Sequence, residues 1–331
     1  MARGLNRVFE PGAVAVVGAS ADPQKRGHII LKNIMDGGFA GPVYPINPRG
    51  GTILGLAVYP SLDDVPGPVD LAVIAVAAPL VAGVVEGCGR RGVAGAVVIS
   101  GNFREAGNDD LEAELVAVAR RTGVRVIGPN CQGIARPGSR LCATWPLMKD
   151  PGGMAIISQS GTVGAAFALW ASAEGLGVSA FVSLGNRCDV DESDLIDFFG
   201  GDAATRAIAL YLEGVRDGRR FMDVAGRVGR EKPVVVLKSG RTASGRRAAQ
   251  SHTRSVAGRD EVFDAACRQA GVVQAGDVED LYDRAKALAM LAPPCPRTAS
   301  PETPSTSPAT PTPHATRRRR RFCARRWTWS C

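Results

Sequence analysis

Residues 13–20 read AVAVVGAS, a strand-like run that ends at Gly18 and continues through Gly27-His28 into a helix-like stretch. A strand that ends in glycine just before a helix N-terminus can receive phosphate groups on its backbone N–H groups. The spacing differs from the G-x-G-x-x-G fingerprint of dinucleotide-binding folds. This stretch therefore predicts a parallel α/β unit with an anion-binding corner, and it leaves the ligand open.

The same alternation of short β-branched runs and longer amphipathic runs continues to residue 292 and indicates parallel β-α-β units. The first block of predicted strands covers residues 13–17, 43–46, 71–76, 95–100 and 124–127. The second block covers residues 154–157, 180–184, 207–212, 234–238 and 271–273. Predicted helices cover residues 27–36, 79–90, 109–122, 163–174, 192–199, 219–228, 255–270 and 278–291. We therefore expect an α/β protein of two doubly wound domains that meet near residues 137–152.

The distribution of charge removes the main argument for a nucleic-acid-binding face, and the arginine run near the end of the chain could bind nucleic acid or acidic membranes only non-specifically. The 331-residue chain has a formal charge of +8, but the segment from Pro293 onward holds eight arginines against one acid, Glu302. That surplus of seven leaves about +1 on residues 1–292, too little for a basic binding surface. The same segment is rich in Pro, Ser and Thr and then in arginine, which predicts a disordered tail over residues 293–331.

Cysteine spacing and the length of the apolar runs predict whether the protein binds a metal and whether it enters a membrane. The eight cysteines form no C-x-x-C pair and no Cys/His cluster of metal-ligand spacing. We therefore expect reduced thiols and no metal site. The apolar runs are too short to span a bilayer, and the first residues lack the apolar core of a signal peptide. A soluble, cytoplasmic protein without a membrane partner is the expectation.

The loops of the first domain suggest a phosphorylated ligand. After the second predicted strand, Asn47 and Arg49 stand where a dinucleotide-binding fold places an acid for the ribose. A cation there suits a phosphorylated ribose, so coenzyme A and NADP are both open, as is a domain without a ligand. The residues expected to bind the cofactor are Gly18, Ala19, Ser20, Lys25, Asn47, Arg49, Ala78, Pro79, Ser100 and Gly101.

A polar loop in the second domain carries a candidate nucleophile. The loop runs from Ser239 to His252, follows the predicted strand 233–238 and precedes a predicted helix. A histidine at the carboxyl edge of a sheet can carry a phosphoryl group, because neutral imidazole is a nucleophile near pH 7. The alternative is a solvated surface histidine on a loop of small residues and arginines.

Five motifs in this chain resemble those of the NDP-forming acyl-CoA synthetases, typified by ADP-forming acetyl-CoA synthetase, and of the succinyl-CoA synthetase α subunit. The motifs are GPNCQG (128–133), SQSGTVG (158–164), SLGNRCDVDESDL (183–195), YLEG (211–214) and SHTRSVAG (251–258). They occur in the family's order, and the resemblance extends from about Leu5 to about Leu291. It implies a CoA-binding Rossmann-like domain (1–136) and, after a junction (137–152), a flavodoxin-like CoA-ligase domain (153–292).

The resemblance also implies a reaction and roles for individual residues. A carboxylic acid, CoA and ATP would be converted reversibly to acyl-CoA, ADP and phosphate. His252 would take the phosphoryl group from an acyl phosphate and pass it to ADP, while Glu213 would bind the other imidazole nitrogen. Both GPNCQG and SQSGTVG are expected to lead into helix N-termini that cradle phosphate. The residues implied in that role are Asn130, Cys131, Gly133, Ser160, Gly161 and Thr162.

Two departures from the family pattern shape the functional hypotheses. Arg254 stands where the family usually has glycine, and the family's ATP-grasp half does not follow Leu291. The tail has the composition of a shifted reading frame, so either an ATP-grasp β-type subunit supplies ATP/ADP and Mg or the chain is truncated. The alternatives are a CoA-binding or CoA-sensing protein without turnover and, disfavoured by the missing fingerprint, an NADP-dependent oxidoreductase.

Overall fold

The computed structural model describes residues 4–240 and 260–291. His252, Arg254, the start of the helix predicted at 255–270 and the predicted disordered tail lie outside these residues. The first part of the chain contains α1 (Leu5–Phe9), β1 (Val14–Val17), α2 (Arg26–Asp36), β2 (Val43–Ile46), β3 (Thr52–Ile53), β4 (Leu56–Ala57), β5 (Leu71–Ile74), α3 (Ala78–Arg90), β6 (Gly95–Val98), α4 (Asp109–Thr122) and β7 (Arg125–Ile127).

The second part contributes the remaining elements of the described chain. They are β8 (Gly133–Arg136), β9 (Leu141–Thr144), β10 (Pro151–Ser158), α5 (Gly161–Ala173), β11 (Val178–Ser183), α6 (Glu192–Gly201), β12 (Ala207–Leu212), α7 (Gly218–Val228), β13 (Val234–Lys238), α8 (Asp260–Ala270), β14 (Val273–Gln274) and α9 (Val278–Leu291). The strand and helix alternation predicted from the sequence is confirmed, with shifts of a few residues at most at the ends of the predicted elements.

The first sheet is parallel and has the strand order β2-β1-β5-β6-β7. Every residue of β1, β5 and β6 is buried, as expected for parallel strands that are covered on both faces. The strand order reverses between β1 and β5. Loops that leave these two strands therefore diverge, and they open a crevice at the carboxyl edge of the sheet.

The second sheet has the order β14-β13-β12-β10-β11-β8-β9. Its strands β10 to β14 are parallel and repeat the strand order of the first sheet, with the reversal between β10 and β12. Beyond β11, the strands β8 and β9 add an antiparallel pair that the sequence did not reveal. Residues 133–144, which span the end of the predicted first domain, thus pair with the second sheet. The predicted domain bounds stay a prediction.

The expectation that GPNCQG leads into a helix is wrong. Gly133 begins β8 and pairs with Thr144 of β9 instead. The backbone of Gly133 is in the left-handed region at φ +108°, and a Cβ there would lie 2.1 Å from the carbonyl oxygen of Ala143. Only glycine accommodates that approach of a neighbouring strand, and the antiparallel pairing replaces the predicted helix.

The two sheets share one hydrophobic core. A single cluster of buried side chains includes Val97 and Ile127 of the first sheet together with Ile134 and Val182 of the second. A partly buried ion-pair network links the two parts, because Arg125, the first residue of β7, binds Asp189 and Asp194 at 2.9 and 2.8 Å. The two sheets are therefore joined both by shared apolar packing and by ion pairs.

Candidate functional site

The reversal point of the second sheet holds a buried glutamate. Glu213 follows β12 directly and exposes only 7% of its surface. Its Oε2 atom has no hydrogen-bond partner among the residues that the structure describes. Burying a carboxylate oxygen without a partner is costly, so such an atom in a folded protein calls for an explanation such as a functional partner.

The backbone of Glu213 is fixed from across the sheet. The N–H groups of Glu213 and Gly214 donate to Gln159 Oε1 at 2.7 and 3.2 Å. Gln159 Nε2 donates to the Gly214 carbonyl at 2.8 Å. Arg187 donates to the same carbonyl at 2.8 Å and forms an ion pair with the fully buried Glu192 at 2.9 Å.

The N-terminus of α5 lies beside this point. Ser160 is the N-cap residue, and its Oγ accepts from the Val163 N–H at 3.4 Å. The N–H groups of the first turn, which includes Gly161 and Thr162, have no partner within the helix and carry its positive dipole end. A Cβ on Gly161 would lie 2.7 Å from Gln132 Oε1, so the GPNCQG and SQSGTVG loops meet here. The arrangement suits an anion.

The GPNCQG loop divides into an exposed and a buried part. Asn130 is exposed, with its backbone in the left-handed region, and its N–H donates to the Ser100 carbonyl at 2.8 Å. Cys131 is buried, and its Sγ lies 3.2 Å from the Val98 carbonyl. Burial raises the pKa of the Cys131 thiol to about 12, so it is neither a thiolate nor exposed to a ligand at neutral pH. Gly133 is the first residue of β8.

The loops at the carboxyl edge of the first sheet are held mainly by backbone contacts. A Cβ on Gly18 would lie 2.5 Å from the Ala75 carbonyl oxygen, and its φ of +87° also requires glycine. Asn47 joins two loops, because its Nδ2 donates to the Ala19 carbonyl at 2.8 Å and its Oδ1 accepts from the Arg49 N–H at 3.0 Å.

The other predicted cofactor residues lie along the same edge. Ser20 Oγ accepts from the Asp22 N–H at 3.1 Å, Lys25 is the N-cap residue of α2, and Ala78 and Pro79 form the first turn of α3. Ser100 follows β6 and donates to the Val76 carbonyl, and a Cβ on Gly101 would lie 3.2 Å from Asn130 Oδ1. Since Lys25 and Arg49 are exposed, the edge offers two helix N-termini and two cations to a phosphorylated ligand.

A polar cavity between the two sheets was missed by sequence reasoning. It has a volume of about 500 Å³ and lies between α4 and the loop after β11. Arg104 donates to the Asn186 carbonyl at 3.0 Å, and Asn186 Nδ2 donates to the buried Glu112 at 2.8 Å. Asn186 lies 82 positions from Arg104 and 74 from Glu112 in the sequence, so only the asparagine within SLGNRCDVDESDL offered a signal.

Comparison with known proteins agrees with this architecture. Residues 12–137 match the CoA binding domain, and residues 151–288 match the succinyl-CoA ligase like flavodoxin domain. This order of domains defines the class of acid–CoA ligase α chains. The protein belongs to the family of NDP-forming acyl-CoA synthetases and succinate–CoA ligase α subunits.

Two relatives illustrate the similarity. The α subunit of acetate–CoA ligase [ADP-forming] I from Pyrococcus furiosus is 45% identical over 294 residues, which cover 87% of this chain and 64% of that subunit. The α subunit 2 of succinate–CoA ligase [ADP-forming] from Archaeoglobus fulgidus is 32% identical over 203 residues, which cover 59% of this chain and 68% of that one. The chain thus spans less than two thirds of the acetate–CoA ligase subunit.

A solved structure is similar over the same region. The dinucleotide forming acetyl-coenzyme A synthetase 1 of Ca. Korarchaeum cryptofilum, in complex with phosphate and ADP, has a TM-score of 0.84 and 48% sequence identity. The match covers 87% of this chain and 63% of that chain.

Across residues 4–240 and 260–291, no helix has the length and apolarity needed to cross a membrane. In the same residues no three His, Cys, Asp or Glu side chains cluster as metal ligands would.

Proposed function

We propose that this chain is the CoA-binding and phosphohistidine-bearing part of a cytoplasmic ADP-forming acyl-CoA synthetase. The observation that carries the proposal is Glu213, a buried carboxylate with an unpartnered oxygen next to the anion-binding N-terminus of α5. Such an oxygen suits an imidazole N–H, and the adjacent helix end suits the phosphoryl group on the same ring.

The proposed reaction proceeds in three bond exchanges. A phosphate oxygen attacks the acyl-CoA carbonyl carbon, the C–S bond breaks, and CoA leaves as its thiol. A nitrogen of His252 then attacks the phosphorus of the acyl phosphate, the P–O bond to the acyl group breaks, and the carboxylate leaves with the electron pair. Finally an oxygen of the ADP β-phosphate takes the phosphoryl group, and the N–P bond breaks.

In this scheme Glu213 accepts a hydrogen bond from the second nitrogen of His252. That contact fixes the tautomer and stabilises the positive charge that develops on the ring when the first nitrogen attacks. The N–H groups of Gly161 and Thr162 bind phosphate oxygens together with the dipole of α5, and Asn130 lies at the border of this site. The side chain of Cys131 takes no part, because it is buried.

Coenzyme A fits the carboxyl edge of the first sheet. The N-termini of α2 and α3 and the loops held by Gly18 and Asn47 lie at this edge, and the positive dipole ends of the two helices suit phosphate groups. Arg49 is exposed and binds the 3'-phosphate of the adenosine, which gives the cofactor preference a physical basis. Ser100 and Gly101 lie further along the edge, toward Asn130 and the second sheet.

A partner completes the proposed enzyme. The chain spans 64% of the P. furiosus α subunit and 42% of an A. fulgidus acetate–CoA ligase. We infer that an ATP-grasp subunit of the β type supplies ADP and ATP with Mg. When bound, that nucleotide accepts or donates the phosphoryl group that His252 carries.

The test is the intact mass of the protein after incubation with acetyl phosphate, or with acyl-CoA and phosphate. The wild type is compared with His252→Ala, and CoA binding is measured for both. We expect an acid-labile phosphoryl adduct on the wild type alone. A wild type that binds CoA but gains no adduct would overturn the proposal in favour of a CoA-binding protein without turnover.

A further inference from the structure

The side chain of Gln159 bridges the two parts of the proposed phosphoryl site. Its neighbour Ser160 caps α5, whereas its carboxamide binds the backbone of Glu213 and Gly214, 54 and 55 residues away. We propose that Gln159 is a positioning residue, which sets the Glu213 carboxylate at the correct distance from the N-terminus of α5. This inference rests on the proposed function and identifies the residue that aligns its two halves.

The carboxamide takes over where strand pairing stops. The regular pairing of β10 with β12 ends at Ser158 and Tyr211, and the Gln159 N–H still donates to the Tyr211 carbonyl at 3.0 Å. Beyond this point the segments that follow β10 and β12 diverge, because the strand order reverses here. The Gln159 side chain then supplies the acceptor and the donor that a neighbouring strand would have supplied to Glu213 and Gly214.

The geometry requires a carboxamide. Gln159 Oε1 accepts from two N–H groups, while Nε2 donates to a carbonyl, so both ends of the amide are used. Gln159 is 6% exposed, which leaves little water to replace a lost contact. A carboxylate of the same shape keeps the acceptor and loses the donor, so it would face the Gly214 carbonyl oxygen with a second oxygen.

A second contact shows which part of the loop needs to be held. The Gly214 carbonyl also accepts from Arg187, whose partner Glu192 in turn accepts from the Arg216 N–H at 2.9 Å. The loop after Glu213 is thus held from β10 on one side and from the β11 loop on the other. Gln159 alone of these residues is bonded directly to the phosphate-binding turn, so it couples Glu213 to that turn.

The test is a double-mutant cycle on the rate of phosphoryl-adduct formation, with acetyl phosphate as donor. Gln159→Met and Gln159→Glu are each measured in the wild type and in Glu213→Gln. A displacement of about 1 Å at a reacting group slows a reaction by a factor on the order of 100. We expect a loss of that size in the wild-type background and a loss of less than about twofold once Glu213 no longer carries its charge.

The control removes a carboxamide from the edge of the same sheet. Gln274 of β14 donates to Asp264 at 3.0 Å, and Gln274→Met is expected to keep the wild-type rate. CoA binding and the thermal midpoint report on folding, and the isosteric Gln159→Glu serves if Gln159→Met does not fold. An equal loss in both backgrounds, or no loss in either, overturns the assignment while the proposed function stands. No adduct on the wild type overturns both.

Discussion

The carboxyl edges of the two sheets have the same topology and opposite character. Both sheets reverse their strand order at one point, and both place a helix N-terminus there. At the first edge, small residues and backbone contacts hold the loops, and Lys25 and Arg49 are exposed. At the second edge, the buried Gln159 carboxamide and Arg187, which is paired with Glu192, hold the backbone beside the buried Glu213 carboxylate.

This difference suits the first edge to ligand binding and the second edge to a chemical step. Exposed cations attract a phosphorylated ligand at only a small desolvation cost, but solvent weakens each contact. A buried charge that is held by neighbouring side chains interacts more strongly with a charge that develops beside it, because the local dielectric is low. The first edge is therefore suited to hold coenzyme A, and the second is suited to stabilise a phosphorylated histidine.

The largest expected effect is on the second edge, where Glu213→Gln should slow formation of the phosphoryl adduct without changing CoA binding at the first edge. Glu213→Gln keeps the shape of the side chain and removes its charge, so the developing imidazolium loses its partner. We expect the rate of phosphoryl-adduct formation to fall on the order of 10³-fold, measured by intact mass in single turnover. CoA affinity, determined by calorimetry on the same protein, should be unchanged. A parallel fall in CoA affinity would show that the two edges are not independent.

The next effect tests how each edge is packed. Gly18→Ala places a Cβ 2.5 Å from a backbone oxygen at a positive φ, which a small movement cannot relieve. We expect the free energy of unfolding to fall by about 2–4 kcal/mol and CoA binding to weaken. Gly161→Ala meets side-chain atoms only, Gln132 Oε1 at 2.7 Å and Gln132 Cβ at 2.8 Å, and its φ is not in the left-handed region. We expect a smaller loss of about 1–2 kcal/mol.

Urea denaturation measures both of these changes, and Gly83 provides the matched control. A Cβ on Gly83 meets nothing within 4 Å inside α3, so Gly83→Ala should stabilise the protein by up to about 1 kcal/mol. Equal losses for Gly18→Ala and Gly161→Ala would contradict the expectation that a backbone clash at positive φ costs more than a clash with side-chain atoms alone.

A smaller effect sharpens the assignment of the first edge. Arg49→Ala should weaken CoA binding about 10-fold, since one exposed charge-assisted contact contributes about 1.4 kcal/mol, and it should leave dephospho-CoA binding unchanged. The effect should shrink as salt concentration rises, because the contact is exposed. Arg90→Ala on α3, which removes an arginine paired with Asp63 on the surface, is the control. Equal losses with CoA and dephospho-CoA would place the 3'-phosphate elsewhere.

The smallest expected effect concerns Cys131 at the border of the two edges. Burial raises the pKa of its thiol to about 12, so the protonated, unreactive form is present throughout the neutral range and is lost only as the pH approaches that value. Native protein at pH 8 should show no alkylation of Cys131 by iodoacetamide, whereas urea-unfolded protein should be fully labelled, as judged by peptide mass mapping. Rapid labelling of the native protein would mean that the thiol is exposed.

Much of the fold was predictable because its signal is local. The predicted bounds of β2, β12, β13, α4 and α9 agree with the structure residue for residue. Buried parallel strands are continuous apolar runs, and their helices repeat every 3.6 residues, so neighbouring residues suffice to identify them. The ten residues predicted to bind a cofactor also lie at one edge, since loops after parallel strands emerge on the same side.

The errors lie where distant segments decide the structure. GPNCQG resembles a strand-to-helix corner, but β9 and β11 pair with the residues that follow it and make them a strand. Cys131, which the resemblance placed among the phosphate-binding residues, has its side chain buried against the Val98 carbonyl. Neither neighbour can be identified from the local pattern, because the contacts depend on the packing of one sheet against another.

The sequence by itself determined the alternation of strands and helices, the positions of the glycine corners and the presence of a glutamate after β12, since each depends on a few adjacent residues. Only the tertiary structure decided that Gln159 binds the backbone of Glu213 and that the Glu213 carboxylate is buried with an unpartnered oxygen. The physical reason is that strand pairing at the reversal point brings together residues 54 positions apart, and no local periodicity encodes that pairing.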